Sequence, residues 1–200
     1  FCLINISAAL HAWKLTHFYD DPSIREQKQP SKNIFTKTWK LFAGFRYPKT
    51  LNTSTPSFAY QAAVLKTKDD INIEAWYTAS DSAKGTIILF HGINGTKSML
   101  IPEAARFLNF GYNIMLVDLR AHGNSTGHTS TLGVKETEEV KLAYDYITAK
   151  REKNIFLYGI SMGAVIVVKA VKDYGLKPKG IIIECPFASL QYHLKARSRN

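Results

Sequence analysis

The chain has 200 residues, 46% of them apolar, and carries 26 lysines and arginines against 16 aspartates and glutamates, a formal net charge of +10. That length suits one globular domain with an appendage, and the ordinary apolar content excludes a disordered or low-complexity protein. No aromatic-interleaved basic patch or known binding motif accompanies the charge, so no nucleic-acid partner is expected. Much of the charge lies between Lys28 and Lys49 and in the tail after His193, and the former, following an apolar segment, suits anionic lipid head groups.

Phe1 to Trp13 is almost wholly apolar. It is too short to span a bilayer, which takes about 20 residues, but it resembles the second half of a membrane anchor or signal segment, closed by an interfacial aromatic and Lys14. The alternative is a short helix packed on the domain. Tyr19 to Ser31 is polar and suits a linker. Ser31 is placed to cap an amphipathic helix carrying Ile34, Phe35, Leu41, Phe42 and Phe45 and ending near Pro48. Leu51 to Ser57 is a Thr/Ser/Pro-rich connector. The expected organisation is an anchor or signal remnant over 1–18, a linker with an amphipathic helix over 19–57, and the main domain over 58–200.

Tyr60 to Lys66 and Ile71 to Thr78 flank Thr67-Lys68-Asp69-Asp70, a hairpin signal. The second strand alternates Ile71, Ile73, Ala75 and Tyr77, which predicts a half-exposed antiparallel strand. Gly85 to Phe90 is continuously apolar, as a buried parallel strand is. A helix before Gly111 gathers Leu100, Ala104, Phe107 and Leu108 on one face. Asn113 to Val117 is a further buried strand, ending in the polar loop Asp118 to Gly127. A helix from about Val134 to Lys150 gathers Val140, Ala143, Tyr144 and Ile147 on one face. Its early Glu136, Glu138 and Glu139 and late Lys150 and Arg151 complement the helix dipole. Asn154 to Tyr158 is a buried strand, Ala164 to Tyr174 a helix, and Gly180 to Cys185 the last strand. Alternating strands and helices imply a doubly wound, mostly parallel sheet. Cys2 and Cys185, one in the apolar N-terminal stretch and one at a buried strand end, are not expected to pair.

The most informative stretch is Gly159-Ile160-Ser161-Met162-Gly163, between a buried strand and a helix. In that context G-x-S-x-G is a nucleophile elbow. The sharp turn pushes Ser161 out of the sheet, and its crowding requires the small Gly159 and Gly163. The new helix aims its free N–H groups at the same point. His91-Gly92-Ile93-Asn94-Gly95 follows an earlier buried strand, where a second oxyanion donor is supplied. The expected donors are the backbone N–H groups of Ile93 and Met162, with Gly92 letting the chain approach closely. A glycine-rich turn with a capping serine is the plainer alternative. His91 is expected to brace its loop, Asp118 and Arg120 to order theirs, and His122 to pack or hydrogen-bond. No H-E-x-x-H, C-x-x-C or phosphate-cradling loop is present, so neither a metal nor a cofactor is expected.

Leu89-Phe90-His91-Gly92, Asp118-Leu119-Arg120-Ala121-His122-Gly123-Asn124-Ser125, Gly159-Ile160-Ser161-Met162-Gly163 and Glu184-Cys185-Pro186-Phe187 occur in that order. In this combination the chain resembles the α/β-hydrolases, in the serine aminopeptidase and monoglyceride-lipase-like branch, among bacterial membrane-anchored members. The resemblance spans roughly Tyr60 to Leu190. It implies the strand order 1-2-4-3-5-6 with the later strands missing, so that the sixth strand is left at an edge. It implies a serine hydrolase acting on a carboxylic ester or related acyl bond of a small-molecule or lipid-like substrate, located at a membrane or exported to the cell envelope. A peptidase or thioesterase of the same fold, or a non-catalytic binding module, are the alternatives; dehalogenation is disfavoured because it uses an aspartate at the elbow.

The family's triad runs serine, acid, histidine. After Ser161 the only acids are Asp173 and Glu184 and the only histidine is His193. Glu184, ending the sixth strand, is the better placed acid, but the simpler expectation is that acid and histidine lie beyond Asn200, in a chain cut at both ends.

Overall fold

The computed structural model describes residues 2–20, 33–80 and 82–186. Its centre is a six-stranded sheet of β1 (Gln61–Lys66), β2 (Asn72–Tyr77), β3 (Thr86–Phe90), β4 (Asn113–Val117), β5 (Ile155–Ile160) and β6 (Gly180–Glu184). The strand order is β1-β2-β4-β3-β5-β6, as the resemblance implies. β3 pairs in parallel with β4 and β5, and β5 with β6, while β1–β2 and β2–β4 are antiparallel. The register sets Phe90 opposite both Val117 and Gly159. The loops after β3, β4 and β5 therefore leave the sheet side by side at its carboxyl edge, where open α/β sheets hold their sites.

Helices cover both faces. α3 (Ile101–Asn109) lies on one, with Ala104 packed among Ile87, Leu89, Ile114 and Leu116. α4 (Glu136–Ala149) and α5 (Met162–Tyr174) lie on the other, where Val140, Ile147, Ile166 and Val167 meet Ile88, Phe90, Met115 and Val117. Successive residues of β3 and β4 thus serve opposite cores, which is why these strands read as unbroken apolar runs. Each fully buried side chain of this kind contributes about 1.5–3 kcal/mol.

Several local expectations are corrected. β2 is mostly buried, not half exposed, because it lies between β1 and β4 and its Trp76 is covered by the Tyr60 ring and by Lys97. α4 begins at Glu136, and Lys150 and Arg151 fall beyond its last residue. Cys185, expected at a buried strand end, is exposed with φ 47°, as is Cys2. Among the described residues β6 lies at one edge of the sheet, and Ile181, Ile182 and Ile183 keep 41, 39 and 43% of their surface exposed.

The N-terminal part forms α1 (Cys2–Thr16) and α2 (Ile34–Ala43). Asn33 caps α2 by accepting from Phe35 N–H at 3.0 Å; the expected cap, Ser31, lies outside the described residues. The helix stops before Gly44 (φ 76°), whose N–H donates to Lys40 O, so it ends short of Pro48. α1 packs on α2 through Ser7 Oγ donating to Phe42 O (2.6 Å) and Lys14 Nζ donating to Gly44 O (3.1 Å). Phe18 is buried, and its N–H donates to His128 O at 2.7 Å. Lys49 Nζ donates to Ser125 O, and Gly123 N–H to Thr50 O. Residues on either side of the 57/58 boundary are therefore bonded together. No described helix is long and apolar enough to cross a membrane.

Candidate active site

β5 runs straight into α5 with no intervening loop, and Ser161 is the hinge, at φ 54° and ψ −115°. A side-chain-bearing residue rarely adopts this conformation, which costs on the order of 1–3 kcal/mol. The neighbours hold it there. Ser161 N–H donates to Glu184 O at 2.9 Å, and Ser161 O accepts from Ala164 N–H at 3.1 Å. A β-carbon on Gly163 would overlap the Phe90 carbonyl, and one on Gly159 would overlap the Gly163 backbone. The two small positions of the motif are thus required by strand and helix backbones that cannot retreat.

The loop after β3 lies against this turn. A β-carbon on Gly92 would sit 3.1 Å from Ser161 Cβ and 3.6 Å from its Oγ. Gly95 N–H donates to Gly92 O at 3.1 Å, closing a tight turn around Ile93 and Asn94, with Asn94 at φ 58°. Among the described residues none accepts from the Ile93 N–H. Met162 is the first residue of α5, so its N–H has no acceptor within the helix. The structure therefore brings Ser161, Gly92, Ile93, Met162, Gly159 and Gly163 together at one end of the sheet. The arrangement suits binding of an oxygen that develops negative charge.

His91 opens that loop and His122 belongs to the loop after β4, and both are buried. Leu119 N–H donates to His91 Nε2 (3.0 Å), and His91 Nδ1–H donates to Gly92 O (2.7 Å). Asn94 N–H donates to His122 Nε2 (3.1 Å), and His122 Nδ1–H donates to Arg120 O (2.8 Å). The acceptor role of each Nε2 fixes the tautomer. Burial, and the neighbouring His122, push His91 down to about 4; burial also lowers His122.

The loop after β4 is braced by buried charge. Asp118 Oδ2 meets Lys97 Nζ at 2.5 Å, Asn52 Nδ2 at 2.8 Å and Asn124 N–H at 2.9 Å, while Oδ1 accepts from Lys97 N–H at 2.7 Å. Lys97 also pairs with Glu74 (2.9 Å) and lies over the Trp76 ring. Arg120 pairs with Glu139 at 2.5 Å and Asp69 at 2.9 Å. Against the cost of burial, these carboxylates hold the Arg120 guanidinium above its ordinary value. Glu136 accepts from Ser130 Oγ, Thr131 N–H, Thr131 Oγ1 and Gly133 N–H at 2.6–2.9 Å. Burial would raise its pKa, but the hydrogen bonds from Thr131, from its own backbone N–H and from Ser130 outweigh it and lower it. Sequence reasoning expected Asp118 and Arg120 to order this loop but missed Lys97, Glu74 and Asn52. They sit in unrelated segments, and no local pattern marks a lysine that will be buried.

The two acids after Ser161 are placed differently. Asp173 pairs with Lys169 near the far end of α5. Glu184 ends β6, and its carboxylate approaches Tyr158, whose buried hydroxyl has no hydrogen-bond partner among the described residues. Burial and then Glu184 push that phenol up. No described residue hydrogen-bonds Ser161 Oγ, and His193 lies outside the described residues.

Comparison with known proteins agrees with this fold. The model of the family described as serine aminopeptidase, S33, matches residues 81–198, more than half of the chain. The chain is 28% identical over 145 residues to the uncharacterized protein YqkD of Bacillus subtilis, covering 69% of this chain and 48% of that protein. It is 24% identical to protein bem46 of Schizosaccharomyces pombe (74% and 56% covered) and 27% identical to the lysophosphatidylserine lipase ABHD12 of Danio rerio (60% and 33% covered). The chain thus spans about half or less of the length of these curated relatives. Among solved structures it superposes on the Pyrococcus furiosus esterase Pf2001 with TM-score 0.66 at 24% identity, covering 76% of this chain and 65% of that one. It also superposes on XC6422 of Xanthomonas campestris, an α/β serine hydrolase without a lid (TM-score 0.55, 23% identity, 68% and 66% covered). With the sheet order, the elbow geometry and a family match over residues 81–198, the chain belongs to the serine aminopeptidase S33 family of α/β-hydrolases.

Proposed function

We propose that this chain carries the nucleophile of a serine hydrolase that cleaves a carboxylic ester through an acyl-enzyme on Ser161. The observation behind this reading is the backbone of Ser161, φ 54° and ψ −115°, with Gly92 so placed that an added β-carbon would meet its side chain. In this reading Ser161 Oγ attacks the carbonyl carbon while a histidine takes its proton. The N–H groups of Ile93 and Met162 hold the developing oxyanion, a contribution of about 3 kcal/mol per donor in comparable sites. Expulsion of the alcohol leaves the acyl group on Ser161, and water then releases it as an acid. The histidine and its supporting acid come from outside the described residues, or, for the acid, from Glu184.

An ester is favoured over a peptide or thioester because similar proteins bear the names esterase and lysophosphatidylserine lipase. A lipid-like substrate also suits the N-terminal helices. Leu3, Ile4, Trp13, Phe35, Trp39 and Leu41 are exposed there. Lys14, Lys37, Lys40, Arg46 and Lys49 lie in the same segments, where Asp20 is the only described acid. An apolar surface with a basic border fits an anionic membrane surface.

The rival reading is a binding module that keeps the fold without turnover. A fluorophosphonate probe separates the two. The protein should be labelled and Ser161→Ala should not; equal labelling of both removes Ser161 from the mechanism, and no labelling of either supports the binding module.

A further inference from the structure

We propose that His91 and His122 are positioning residues, a reciprocal clamp in which each neutral ring accepts a backbone N–H from the other's loop and together they fix the peptide units on both sides of Ile93. The clamp itself stands on geometry; only its consequence for catalysis rests on the function proposed above.

The crossing is symmetrical. His91 belongs to the loop after β3 and accepts from Leu119 in the loop after β4. His122 belongs to the loop after β4 and accepts from Asn94 in the loop after β3. The two rings touch edge to face at 5.1 Å, and Phe18 packs on His122 at 5.1 Å from the outer side.

The consequence for Ile93 follows from the planar peptide. The Gly92 carbonyl and the Ile93 N–H belong to one rigid trans unit and point in opposite directions. His91 Nδ1–H holds that carbonyl, so it sets the direction of the Ile93 N–H. The next unit carries the Asn94 N–H, which His122 holds. Both dihedrals of Ile93 are thereby set by histidines that touch neither Ser161 Oγ nor its substrate.

Both rings must be neutral for this. A second proton would turn each Nε2 from an acceptor into a donor aimed at an amide N–H. The negative charge of Asp118 acts on both histidines and that of Glu136 on His122, and both favour the protonated form. The positive charges of Lys97 on His91 and of Lys49 on His122 oppose it. Burial decides in favour of the neutral rings, and Arg120 is occupied by Glu139 and Asp69.

The test uses the whole chain with 15N-labelled histidine. At pH 7 both rings should give the neutral Nδ1–H tautomer. His122→Phe keeps the ring contacts but removes the acceptor, and should speed Asn94 amide exchange on the order of tenfold. His122→Gln returns an acceptor near the Nε2 position and should bring exchange back to within about threefold of wild type. Fluorophosphonate labelling should slow in the Phe variant and recover in the Gln variant. A doubly protonated ring at pH 7, or unchanged Asn94 exchange in His122→Phe, overturns the clamp. Altered exchange with an unchanged labelling rate overturns the positioning role. If exchange responds but Ser161 of the wild type is never labelled, the clamp stands and the serine mechanism falls.

Discussion

Gly92 leaves no room for a side chain beside Ser161: a β-carbon there would sit 3.1 Å from Ser161 Cβ and 3.4 Å from the Ile160 carbonyl. Gly92→Ala therefore moves the elbow or the loop by a few tenths of an ångström. Fluorophosphonate labelling of Ser161 is expected to slow on the order of tenfold or more, because small misplacements of reacting groups are costly. The melting temperature should change little. Labelling at the wild-type rate would mean that the loop after β3 does not shape the site.

Lys97 tests the buried charge beneath that loop. Lys97→Met removes the cation from Asp118, whose carboxylate is wholly buried, and leaves only neutral donors around it. Breaking such a pair costs about 3–5 kcal/mol, or roughly 10 °C in melting temperature for a chain of this size. The exposed pair Lys141–Asp145 is the control, since Lys141→Met should cost less than about 1 kcal/mol. Equal effects of the two substitutions in thermal unfolding would contradict the proposed importance of the network.

The lowered pKa of His91 gives a pH prediction with a definite sign. The folded state keeps the ring neutral to about pH 4, while the unfolded ring takes up a proton near pH 6.5. Its contribution is complete above about pH 6.5 and is lost as pH falls toward 4, about 3 kcal/mol at most. His91→Gln lacks this titration. The stability gap between wild type and variant, from urea unfolding, should therefore narrow from pH 7 to pH 4.5. A constant gap would show that His91 is not held neutral.

Much of this is legible in the residues. The runs Thr86–Phe90 and Asn113–Val117 are apolar because both faces of each strand are buried, and that pattern predicts a central parallel sheet. Gly159, Ser161 and Gly163 mark the elbow because backbones close on them leave no alternative. Other features depend on distant contacts. The burial of Lys97 joins Glu74 and Trp76 of β2 to Asp118 at the end of β4. β2 alternates as a half-exposed strand would, yet Trp76 on its other face is covered by residues far along the chain. The cap of α2 is Asn33; Ser31 and Asn33 are both good caps by residue type, and only the backbone decides between them.

The acyl-enzyme is the central claim, and mass spectrometry of the protein mixed with p-nitrophenyl acetate tests it most directly. The expected result is one acetyl group on the peptide containing Ser161, absent from Ser161→Ala. An acetyl group on a different residue, or ester turnover that persists undiminished in Ser161→Ala, would contradict it.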